Sequence, residues 1–80
     1  MSVVHRVTGY DKRTEVLERE ADIPADLVAE ARRLADAPED VEQAPGAFPL
    51  SGSAVARLSA MLGLPMSEDR YDWFLEPVDI

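Results

Sequence analysis

Prolines cut this sequence into segments that no helix can cross intact, and that constrains the fold more than any other feature. A proline lacks the backbone N–H, fixes its own φ and pushes the residue before it toward extended backbone. Pro24 opens one stretch with helical spacing and Pro38 closes it; Pro45 and Pro49 punctuate the next stretch, and Pro65 closes a second helical one. Two short helices are thereby bracketed. The rest must be strand or loop.

The first bracket predicts a helix from about Ala25 to Ala37. Leu27, Val28, Ala31, Leu34 and Ala35 form one apolar stripe, with Asp26 and Glu30 early and Arg32 and Arg33 late, as the helix dipole favours. The second predicts a helix capped by Ser51 or Ser53 and ended by Gly63, with Val55, Leu58 and Leu62 in register and Met61 beside them. With Ser51 as cap, Leu50 and Val55 stand where a hydrophobic staple puts its two residues. Between the helices, Ala37 to Phe48 reads as a loop.

Outside the brackets the period is two. Val3 to Thr8 and Thr14 to Ala21 read as the strands of a hairpin, half exposed because neither face is cleanly apolar. Gly9 to Arg13 supplies the turn, with Asp11 able to accept from backbone two residues on. Arg70 to Glu76 reads as a third strand, with Tyr71, Trp73 and Leu75 on one face and Asp72, Phe74 and Glu76 on the other. The expected fold is a single α+β domain over residues 1–80, in the order ββααβ. Its three-stranded antiparallel sheet would carry both helices on one face.

Composition narrows the chemistry. The chain has 80 residues and no cysteine, so neither a disulfide scaffold nor a thiolate metal site is available. A domain this small belongs near the low end of ~5–15 kcal/mol of stability. His5 and Arg6 stand where a signal peptide needs its apolar stretch, and prolines and glycines interrupt the uncharged run from Ala44 to Ala56. The expectation is a cytoplasmic protein. His5, the one histidine, reads as a surface strand residue, and no serine stands in a nucleophile elbow. Neither Glu39, Asp40 and Glu42 nor Glu68, Asp69 and Asp72 has the spacing of a calcium loop. No enzyme activity, metal or cofactor is expected.

The charge balance is the informative feature. Sixteen acidic against eight basic residues give −8, which disfavours nucleic acid and anionic membranes as partners and favours a basic protein. Residues 1–22 carry −1, residues 23–47 carry −4 and residues 48–80 carry −3, so the acidity lies beyond the hairpin. The candidate partner-binding residues are Asp36, Glu39, Asp40 and Glu42 around the loop, and Asp69, Asp72 and Glu76 around the last strand. Phe74 would be the exposed anchor, or Trp73 if the faces are reversed.

Four short motifs also carry a family resemblance. Tyr10-Asp11-Lys12-Arg13-Thr14-Glu15, Ile23-Pro24, Phe48-Pro49-Leu50 and Tyr71-Asp72-Trp73-Phe74-Leu75-Glu76 resemble, in this order, a small bacterial domain family. Its members look like the immunity proteins that accompany polymorphic toxins. The turn and the acidity are more distantly similar to cloacin-type immunity proteins, which neutralise cationic nuclease domains. The resemblance implies a stoichiometric inhibitor of a basic toxin, and adds Asp11 to Asp72 as matching partner-binding positions. Cloacin-type proteins are dominated by a four-stranded sheet, whereas this sequence patterns as three strands and two helices. The alternative is a small interaction or structural module, able to form a homodimer through an exposed edge strand.

Overall fold

A computed structural model describes residues 3–36 and 47–79. Four strands, β1 (Val3–Asp11), β2 (Leu17–Asp22), β3 (Phe48–Pro49) and β4 (Tyr71–Asp79), form one antiparallel sheet in the order β2-β1-β4-β3. Two helices, α1 (Val28–Leu34) and α2 (Gly52–Leu62), complete the domain. The expectation of three strands in the order ββααβ is therefore corrected to four strands in the order ββαβαβ. The added strand has only two residues. Its pairing is tertiary: Phe48 and Pro49 stand opposite Leu75 and Phe74, and the Leu50 N–H donates to the Trp73 carbonyl at 2.9 Å.

The hairpin is longer in β1 and shorter in β2 than its sequence pattern. β1 runs on through Gly9 and Tyr10 to Asp11, so the turn occupies the residues after Asp11. One Asp11 carboxylate oxygen accepts the Arg13 and Thr14 N–H groups at 2.7 and 3.0 Å, inside a turn that the Asp11 N–H closes on the Val16 carbonyl at 2.9 Å. Glu15 adopts a left-handed backbone (φ 60°), which delays β2 until Leu17. Between Gly9 and Tyr10 the register slips in a bulge. The bulge aims consecutive residues at one ring: Glu18 Oε1 is 3.4 Å from the Tyr71 hydroxyl, and the Arg19 guanidinium lies 5.7 Å from the Tyr71 ring centre.

The first helix is shorter than the pattern predicts. A 3₁₀ turn at Ala25–Leu27 precedes α1, because Pro24 offers no side-chain cap and the chain tightens onto the Pro24 carbonyl. Asp36, in the left-handed conformation (φ 56°), ends the helical path two residues before Pro38. α2 follows its signals: the Ala54 N–H donates to Ser51 Oγ at 3.2 Å, and Gly63 closes the helix at φ 63°.

Both helices pack on the same face of the sheet. Ala31 of α1 and Val55 and Leu58 of α2 meet Val7, Ile23, Tyr71, Trp73 and Leu75 in one buried cluster. Alternation places His5 and Gly9 on that side with Val7. His5 is only 7% exposed, which corrects the expectation of a surface histidine.

Candidate functional site

Alternation leaves the other half of β1 and β4 on the opposite face, against which no helix packs among the described residues. Arg6, Thr8 and Tyr10 of β1 face Glu76, Phe74 and Asp72 of β4 across the ladder. Asp22, Glu20 and Leu17 of β2 stand beside Arg6, Thr8 and Tyr10 on the other flank, and Pro49 stands beside Phe74. The result is a half-exposed aromatic and aliphatic band with carboxylates above and below it.

Two rings form its centre. Tyr10 and Phe74 meet edge to face with centroids 5.6 Å apart. The Glu76 carboxylate accepts a short hydrogen bond from the Thr8 hydroxyl and a longer one, 3.4 Å, from the Tyr10 hydroxyl. Burial, then the adjacent Glu76 charge, pushes the Tyr10 phenol above its ordinary value, so it remains a neutral donor. The neighbouring Arg6 is already engaged: its Nε contacts Asp22 at 2.7 Å, and that bond raises the guanidinium further. Among the described residues, the partly buried Glu76 carboxylate thus has two hydroxyls, and no cation, as its bonded partners. Lys12 pairs with Asp72 at 3.1 Å where both are half exposed, a contact of ~0–1 kcal/mol.

The sequence-derived candidates divide accordingly. Asp72, Phe74 and Glu76 come together on the open face. Asp69 is exposed on the turn before β4 and shares with Asp72 a shallow hollow of about 480 Å³. Asp11 is 8% exposed, and its carboxylate is turned to the backbone of its own turn. Asp36 is exposed beyond α1, in the helical layer rather than on the open face. The reversed-face alternative is corrected: Trp73, at 4% exposure and with its Nε1 donating to the Ser67 carbonyl at 2.9 Å, is core and cannot anchor a partner. Glu39, Asp40 and Glu42 lie outside the described residues. The sequence reading missed Thr8, Tyr10 and Glu20. Tyr10 was assigned to the turn, although the alternation Arg6, Thr8, Tyr10 continues the strand and would have found it.

His5 is sealed from this face. Its Nε2 accepts from the Arg32 guanidinium at 3.3 Å, and burial first, then the Arg32 charge, holds the imidazole below its ordinary 6.5. The folded state therefore binds fewer protons here than the unfolded state. Stability from this group is complete above about pH 6.5 and falls as the pH drops below it. Thermal melts at pH 7.5 and 5.5 should show a smaller loss for His5→Gln than for the parent. Equal losses would assign the pH dependence to other groups.

The described residues define a small α+β domain with one helix-covered and one open sheet face. Within them no helix is long and apolar enough to cross a membrane, and no three His, Asp or Glu side chains are grouped to hold a metal ion. The chain belongs to the DUF7683 family, a domain of unknown function, whose match spans residues 4–76. No curated protein and no solved structure matches it.

Proposed function

We propose that this protein is a non-enzymatic inhibitor of the immunity type, which binds the basic domain of a cognate bacterial toxin on the open face of its sheet. The observation that supports the reading is Glu76: a partly buried carboxylate held by two hydroxyls beside a half-exposed aromatic pair. A partly buried carboxylate without a bonded cation is a poor device for stability and a good one for recognising a cation. Asp72 and Glu20 add to the same field, so the nearly neutral hairpin contributes to the acidic surface after all. Such a field speeds encounter, and Phe74 and Tyr10 supply the desolvated contact that slows release.

The alternative of a dimer through an edge strand meets a physical obstacle. A twofold axis between two β2 strands would set Glu20 opposite Glu20, or Arg19 opposite Arg19 with Glu18 opposite Glu20. Like charges face each other in both registers. The β3 edge is two residues long and includes Pro49, which is equally poor for pairing.

The test is affinity purification of the tagged protein co-expressed with the product of the gene immediately upstream. A one-to-one complex with a basic toxin domain is expected at low salt, weakening as ionic strength rises. Phe74→Ala should speed its dissociation by about tenfold or more. If that gene encodes no toxin domain and nothing basic is retained at low salt, the reading fails.

A further inference from the structure

At the turn end of the open face, Tyr10, Asp11, Glu15, Ala47, Asp72 and Phe74 enclose a cleft of about 320 Å³. The two rings meet edge to face at 5.6 Å, and Asp11, Glu15 and Asp72 bring three carboxylates to the same lining with no basic residue among them. Glu15 is exposed.

Building on the docking role proposed for the open face, we propose that this cleft receives one arginine side chain of the protein partner. A planar guanidinium can stack on the ring of Phe74 or Tyr10 while its N–H fork meets a carboxylate, whereas a lysine ammonium satisfies only the charge. The chain already shows this chemistry internally. The Arg19 and Arg70 guanidiniums lie 5.7 and 5.6 Å from the Tyr71 ring centre, on a ring whose neighbours include Glu18 and Asp11. The open cleft presents similar ring-plus-carboxylate surroundings: Arg70 Nε approaches its Asp11 at 3.9 Å, but no guanidinium is among the residues that line it. The partner must also compete with Lys12 for Asp72; both groups are about half exposed, so that ion pair opens readily. Asp11 is different: its carboxylate is committed to the turn by two N–H donors, and it contributes field rather than a movable contact.

Nuclear magnetic resonance titration of the nitrogen-labelled protein tests the assignment with three capped tripeptides, Gly-Arg-Gly, Gly-Lys-Gly and Gly-citrulline-Gly. The arginine peptide should shift the amides of Tyr10, Asp11, Glu15, Asp72 and Phe74. It should bind roughly 2- to 5-fold more tightly than the lysine peptide, the stacking contribution expected at a partly exposed ring. Citrulline, which keeps the plane and loses the charge, should not bind measurably. Phe74→Leu should erase the preference for arginine over lysine, and Glu15→Gln, on an exposed side chain whose loss cannot unfold the domain, should weaken both peptides alike. Equal arginine and lysine binding to the parent, or shifts scattered over the acidic surface, overturns the proposal. A toxin partner retained while the arginine peptide stays silent would refute the cleft and leave the inhibitor reading standing. A cleft that selects arginine in a protein with no toxin partner would do the reverse.

Discussion

Trp73→Ala is expected to bring this domain to the edge of unfolding at room temperature. The indole is 4% exposed, meets the Tyr71 ring at 5.8 Å and donates from Nε1 to the Ser67 carbonyl. Truncating a buried tryptophan costs ~3–5 kcal/mol, through lost apolar contact and the cavity left behind. A domain of this size starts near the low end of ~5–15 kcal/mol, so little remains. Circular dichroism melts give the readout, since the variant has lost its one tryptophan as a fluorophore. Trp73→Phe keeps most of the apolar contact but loses the donor to Ser67, and should melt between the two. A Trp73→Ala variant that melts within a few degrees of the parent would remove Trp73 from the core and return it to the candidate anchors.

Gly9→Ala should lower stability by ~1–3 kcal/mol, the usual penalty of overfilling a packed site. Gly9 is the cross-strand partner of Trp73, and the indole lies flat against its backbone. A Cβ at position 9 would stand 3.0 Å from Cη2 and Cζ3 and 3.2 Å from Cε3. The ring cannot easily swing aside, because the bond to Ser67 holds its other edge. At this chain length the loss corresponds to a melting-point drop of roughly 5–20 °C. Combining Gly9→Ala with Trp73→Phe should cost less than the two changes added together, because the phenyl ring ends short of the new methyl. Strict additivity would show that the clash is not the cause.

The same pair shows what the sequence could and could not say. Alternation from Tyr71 to Leu75 correctly assigned Trp73 inward and Phe74 outward, because a strand buried on one face leaves a period-two record. The Ser51 cap and the Gly63 stop were legible because caps are local chemistry. β3 was not legible: two residues, one of them proline, hold no pattern, and only Leu75 and Phe74 across the gap make them a strand. Nor was the extension of β4 past Glu76, since Pro77 looks like a terminator. Opposite His5, beyond the two residues that β3 pairs, the strand has β1 alone as neighbour and tolerates the missing N–H. The inward turn of His5 and the outward turn of Tyr10 had one cause. Both depend on β1 running unbroken from Val3 to Asp11, through the Gly9 that reads locally as a turn. As for the open face, Asp72, Phe74 and Glu76 are legible in the sequence, but Thr8 and Tyr10, which hydrogen-bond the Glu76 carboxylate, needed the register.

The strand order has a consequence for how the domain is made. β1 and β4, the earliest and latest of the four strands along the chain, are the central pair of the sheet. During synthesis β1 can at first find only β2, and an isolated two-stranded ribbon is marginal in water. Closing so long a loop is entropically slow, so the core waits on the last of the four strands to be made. The face proposed to bind a partner is built from that same pair. A chain still short of β4 therefore exposes acidic residues but no organised binding surface, and competence would arrive all at once, when β4 docks.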